Sequence, residues 1–175
     1  AAESYYAPDS YHLIAQVQNS KAMLGRRDHA GFLTTTFTDA GTDITLINDK
    51  GYDACSYFFP DGKHLIWTSV RDKMGTSGKL EGDWSDWQHY PQGAELYISD
   101  RQGGHVKRLT NNDYYEAEVT VSPDGKWIVF GRQIKGNMDL WVMNADGTGE
   151  HQITFTEDWQ EGAPYFLPDS NTILF

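Results

Sequence analysis

Three acidic residues stand at one fixed distance from three prolines. Asp53, Glu116 and Glu161 each lie seven residues before Pro60, Pro123 and Pro168. Two residues further on, on the same face of an extended strand, come Cys55, Glu118 and Ala163. Carboxylates gathered at one rim repel one another, and a cation or a set of donors relieves that repulsion. Hard oxygen ligands of this kind suit Ca²⁺ or Mg²⁺. Asp53, Glu116 and Glu161 are therefore candidate metal ligands, and Glu118 joins them as a candidate binding residue. The structural alternative is that an acid at a strand corner accepts hydrogen bonds from backbone N–H groups or from a nearby Thr.

A second group sits in a polar stretch, RDKMGTSGKLEGDWSDWQHYPQG, over residues 71–93. It carries Trp84, Trp87 and Tyr90. Aromatic rings on a polar loop serve as stacking platforms or contact anchors, or they tuck the loop onto its neighbours. Asp83 and Asp86 are weaker metal-ligand candidates, because their spacing does not match an EF-hand loop. Arg26, Arg27, Asp28 and His29 form a further charged cluster, which reads as a solvated surface or a partner contact. The histidines show no metal-ligand spacing, and no GxSxG, HExxH, P-loop or GxGxxG motif occurs. No catalytic residue is assigned.

A repeat positions these residues. Pro-Asp-Gly or Pro-Asp-Ser begins at Pro8, Pro60, Pro123 and Pro168, at intervals of 52, 63 and 45. An Ile-Thr or Leu-Thr pair keeps phase with it at Ile44-Thr45, Leu109-Thr110 and Ile153-Thr154. Each unit reads as strand A, a Pro-Asp turn, strand B, a loop, strand C, an Asp/Gly turn and strand D. Strand A is predicted at 54–59, 117–122 and 163–167, with a poorly defined one near 5–7. Strand B is predicted at 11–18, 64–70, 127–132 and 172–175. Strand C is predicted at 32–38, 95–99 and 139–143, and strand D at 43–47, 105–109 and 150–153.

A unit of this length with four strands predicts an all-β protein, a β-propeller of four-stranded antiparallel blades. About three and a half blades are expected, over 1–47, 48–110, 111–154 and an incomplete 155–175. Such a count leaves an unpaired strand edge, so a longer polypeptide or a second chain in a larger complex is expected to cover it. The geometry sorts the connections. A–B and C–D turns share one face, while B–C loops and D–A connections share the other. The second set varies in length, and function is commonly grafted onto such loops.

Composition narrows the partners. The net charge of −11 repels phosphate backbones and argues against nucleic acid. No apolar run is long enough to form a transmembrane segment. Cys55 is the single cysteine, so there is no internal disulfide, and its strand context predicts a buried small side chain. The opening residues AAES resemble what a signal peptidase leaves behind.

The segment SPDGKWIVFGRQIKGNMDLWVMNADGTGEHQIT (122–154) resembles the Pro-Asp, WD-like repeat of the TolB propellers. FFPDGKHLIWTSVRD and AELYISDRQGGHVKRLT match it more loosely. The resemblance implies a bacterial periplasmic or secreted protein. Its expected role is a non-catalytic propeller that binds a protein partner or ligand on its B–C/D–A face. Related propellers also occur as the gating domain of prolyl-oligopeptidase-like hydrolases, and a structural subunit of a periplasmic assembly is a third possibility.

Overall fold

The computed structural model describes residues 2–18, 32–38, 43–73 and 90–175. Alternating or continuous apolar runs between Asp/Gly turns give fourteen strands among them. The first four are β1 (Ala2–Tyr6), β2 (His12–Gln18), β3 (Phe32–Thr38) and β4 (Ile44–Leu46). The next four are β5 (Asp53–Phe58), β6 (His64–Ser69), β7 (Glu95–Asp100) and β8 (Lys107–Arg108). Then come β9 (Tyr115–Val121), β10 (Trp127–Ile134), β11 (Asn137–Asn144) and β12 (His151–Gln152), and finally β13 (Tyr165–Phe166) and β14 (Ile173–Leu174). Each group of four forms one antiparallel sheet in sequence order, and β13–β14 is a two-stranded hairpin. The described residues are all-β, arranged as three four-stranded blades and one two-stranded hairpin. No helix of the described residues is long and apolar enough to cross a membrane.

The Pro-Asp turn works through local chemistry. Asp9 Oδ1 accepts from the N–H groups of Tyr11 and His12, both at 2.9 Å. Asp61 repeats this with Lys63 (2.7 Å) and His64 (3.0 Å), and Asp169 with Asn171 (3.0 Å) and Thr172 (2.8 Å). The residue after each aspartate is left-handed, at φ 65° for Gly62 and 74° for Gly125, but also at 56° for Ser10 and 57° for Ser170.

The Leu/Ile-Thr marker has an equally local cause. Leu109 N donates to Leu96 O (2.8 Å), and Leu96 N donates back to Thr110 Oγ1 (3.0 Å). Ile153, Thr154 and Leu140 repeat the pair at 2.9 and 2.8 Å. The threonine hydroxyl thus replaces a backbone carbonyl and adds one rung beyond the end of the ladder. The first sheet departs from the expected marker. Leu46 pairs with Thr35 as Arg108 pairs with Tyr97 and Gln152 with Trp141. The counterpart of Leu109-Thr110 is therefore Ile47-Asn48, and Ile44-Thr45 lies three residues too early.

The core lies between sheets. Ile14, Ile47, Phe58, Leu65, Trp67 and Tyr97 fill the space between the first two sheets. Ile66, Leu96, Val119, Ile128 and Phe130 fill the space between the second and third. Trp67 and Tyr97 stack at 5.0 Å, with 16° between their planes. Each fully buried side chain of this size contributes about 1.5–3 kcal/mol.

The four A strands, β1, β5, β9 and β13, surround one axis. Tyr5 of β1 and Tyr165 of β13 meet across it, the Tyr165 hydroxyl donating to that of Tyr5 at 3.1 Å. In β1, β5 and β9 the register shifts at one place, five residues before the proline. There Glu3, Cys55 and Glu118 take φ of 46°, 27° and 54°, and Ala163 at the same position before β13 takes 49°. Bulges re-aim side chains, and here they do so at the axis.

Candidate functional site

The row of acids seven residues before each proline lies where the D–A connection enters strand A. Asp53 is buried and accepts from Asn48 Nδ2 at 2.7 Å. Asn48 also reaches Lys50 O (2.7 Å) and Ser69 Oγ (3.3 Å). Glu116 is fully buried and accepts from Arg132 Nε (2.7 Å) and Asn112 Nδ2 (2.7 Å), with Arg132 Nη2 also on Oε1. Burial pushes its carboxyl up, and the Arg132 guanidinium opposes that rise. Glu161, also buried, accepts from the hydroxyls of Thr156 and Thr154. The donors come from the D–A connections and from β10. The structure therefore sets donors against each acid of the row, the arrangement of the structural alternative. Among the described residues, no three His, Cys, Asp or Glu side chains come together to hold a metal.

Arg132 is the hub of one such corner. It is buried, forks onto Glu150 at 2.6 and 2.7 Å, and lies 4.3 Å from the centre of the Trp141 ring. In the second sheet Glu95 is a second buried acid beside Asp53, accepting from Arg108 Nη2 (2.9 Å) and Asn112 N (2.6 Å).

The bulge row differs. Glu118 is half-buried, and one of its oxygens accepts the N–H of Ala163 just before the next inner strand. Glu3, which is exposed, does the same for Cys55 N at 3.0 Å. Each carboxylate thus clasps the following blade at its own bulge. Burial pushes the Glu118 carboxyl up, the Ala163 N–H opposes that shift, and the Glu3 charge adds to it. Cys55 is buried, and its thiol is pushed up by burial with the Glu3 carboxylate nearby.

Tyr90 packs on the third blade, its ring 4.6 Å from that of Tyr115 and its N–H on Gln133 Oε1 at 3.3 Å. Trp84, Trp87, Asp83 and Asp86 lie outside the described residues, as do Arg26, Arg27, Asp28 and His29. His12, His64 and His105 each sit at a turn beside an aspartate, at 2.8, 2.6 and 2.8 Å.

Two residues that sequence reasoning passed over stand out. Phe155 and Trp159 are 76% and 73% exposed in the β12–β13 connection, on the same face as Tyr90. The signal was available as two apolar residues flanking acids between strands D and A. At the opposite, proline end of the axis, a cavity of about 230 Å³ is lined by Tyr6, Tyr57, Phe58, Pro60, Val121 and Phe166.

Residues 80–167, half of the chain, match the family described as the dipeptidyl peptidase IV (DPP IV) N-terminal region. An uncharacterised protein of Agrobacterium fabrum is 27% identical, over 97% of this chain and 63% of its own length. The Tol-Pal system protein TolB of Anaeromyxobacter dehalogenans is 30% identical, over 70% of this chain and 24% of its own length. A solved structure of a TolB candidate from Agrobacterium tumefaciens superposes with a TM-score of 0.70 at 19% identity, covering 97% of this chain and 51% of that one. The chain spans less than two thirds of each of these relatives. On the family match and the shared fold, the chain belongs to the dipeptidyl peptidase IV N-terminal region family and is a TolB-like β-propeller.

Proposed function

We propose that this chain is a non-catalytic binding propeller of an exported bacterial protein, with repeat units at 1–47, 48–110, 111–154 and 155–175. It engages a protein partner through the face made by its B–C and D–A connections. One observation carries the reading, the inequality of the two ends of the blades. The A–B turns are near-copies at 7–11, 59–63, 122–126 and 167–172. The intervals between strands B and C cover 19–31, 70–94 and 135–136, and the D–A connections span 47–52, 109–114 and 153–164. Turns held to one form by backbone geometry serve the fold, whereas loops free to differ carry recognition. Trp84, Trp87 and Tyr90 in the longest loop and Glu118 at the inner bulge are the proposed contact residues. Ca²⁺ or Mg²⁺ at Asp83 and Asp86 remains part of the proposal.

A photo-reactive side chain at position 90 and another at position 63 test it in cells expressing the parent protein. Cross-links to one discrete partner from position 90 and none from position 63 support the reading. The reverse pattern sinks it.

The match to the DPP IV N-terminal region favours one second reading, a gating propeller beside a hydrolase domain elsewhere in the parent protein. Labelling of the parent by a serine-directed fluorophosphonate would establish that reading in place of the first.

A further inference from the structure

Phe155 and Trp159 are the most exposed large apolar side chains among the described residues. A single exposed ring is ordinary. These two project from a backbone that is tied down on either side of Glu157 and Asp158. Thr156 N donates to Asp139 Oδ1 (3.1 Å), and Asn137 Nδ2 donates to Thr156 O (2.5 Å). Thr156 Oγ1 reaches Trp159 O (3.3 Å), Gln160 Nε2 reaches Gly136 O (2.8 Å), and Glu161 N reaches Met138 O (3.0 Å). The rings are thus presented by an ordered loop, and little backbone entropy remains to be lost on contact.

The loop also has a charge. Glu157 and Asp158 are exposed between the two rings. No Lys, Arg or His occurs over 153–164, and the adjoining β10–β11 hairpin adds Lys135 at its turn and the buried Arg132, which is paired with Glu116 and Glu150. The whole chain carries −11. A ring face beside carboxylates attracts a cationic side chain and repels phosphates and anionic lipid.

We propose that the β12–β13 connection is a docking surface for a basic segment of a partner protein, a Lys or Arg side chain lying over Trp159 between the charges of Glu157 and Asp158. This deepens the binding-face reading and rests on it.

The probe is a decapeptide alternating Lys and Pro, compared with its Glu-Pro counterpart and titrated calorimetrically into the chain. The Lys peptide is expected to bind, more weakly as salt rises, and the Glu peptide is expected not to bind. Trp159→Ala should weaken binding about threefold to fivefold, with Trp159→Phe retaining most of it. The pair Glu157→Gln and Asp158→Asn should remove most of the salt dependence. Because these side chains are exposed, thermal midpoints should not move. Equal binding of the two peptides, or Lys-peptide binding indifferent to Trp159→Ala, overturns the inference. If position 90 still cross-links a partner in that event, only this surface fails and the face reading stands. Cross-links confined to position 63 would remove the face reading itself.

Discussion

Replacing Arg132 by Met tests how the acid row is held. Met fills much of the apolar volume beneath the Trp141 ring but withdraws the cation. The two bonds to Glu150 are worth little, since that carboxylate is a third exposed. The cost falls on Glu116, which is fully buried and loses its Nε donor at 2.7 Å. Removing one partner of a buried pair costs about 3–5 kcal/mol, because the remaining charge is uncompensated. That loss should appear in urea unfolding followed by tryptophan fluorescence, with the slope unchanged. Arg132→Met combined with Glu116→Gln should recover most of it. The pH dependence fixes the sign. Burial already raises the Glu116 carboxyl, and Arg132 is the largest effect opposing that rise. Without Arg132 the folded protein holds the proton at pH values where the unfolded chain has released it. Stability therefore falls as pH rises through and above the ordinary carboxylate range. The deficit of the single variant should shrink toward pH 5 and grow toward pH 8. A loss under about 1 kcal/mol, or one that neither pH nor the second change alters, would refute the account.

Three further outcomes follow from the turns and ladders. Ser10→Gly should stabilise by about 0.5–1 kcal/mol in thermal unfolding, since φ is 56° there. Ser170→Gly should give less, because Ser170 Oγ accepts from Asp124 N at 3.0 Å. Asp9 is held below the ordinary carboxylate range by the His12 N–H and then that of Tyr11, and Asp169 by the Thr172 hydroxyl and then the Asn171 N–H. Their contribution is complete above that range and is lost as pH falls through it toward their folded values. The thermal midpoint should accordingly decline below about pH 4, and less so in Asp169→Asn. Thr110→Val leaves the buried N–H of Leu96 without its acceptor. The expected cost is about 1–3 kcal/mol, with faster amide exchange at Leu96 than at Leu140, where Thr154 is intact.

Strands and turns were legible because their causes are local. The Pro-Asp turn bonds within itself, and period-two apolar runs mark β6 and β10 without reference to the rest of the chain. Register beyond a strand end was not legible. Ile44-Thr45 has the letters of Ile153-Thr154, but the extra rung depends on which residue follows the last backbone pair, and pairing is a tertiary fact. The left-handed bulges were also hidden, since Glu3, Cys55 and Glu118 are types that rarely take positive φ. Alignment on the prolines did reveal the acids. It did not reveal their partners, because the donors change in type from blade to blade: Asn48 and Thr154 stand at one place after strand D, Asn112 and Thr156 at another, and Arg132 on β10.

A residue type recurring at one position in every blade answers a need that every blade has, and the row Asp53, Glu116 and Glu161 answers the need to tie a D–A connection to the next inner strand. Each copy finds its donors within its own blade, although the buried Oε2 of Glu116 is left without one. The bulge row is recurrent in backbone but not in side chain, with Glu3, Cys55, Glu118 and Ala163 at one geometry. The loops recur in neither respect. Phe155 has no aromatic counterpart in the D–A connections at 47–52 and 109–114, Trp159 has only the less exposed Tyr114 at the same distance from its proline, and both rings remain largely exposed. Free energy left unspent by the fold is available to a partner, and in this propeller it collects in the connections that break the repeat.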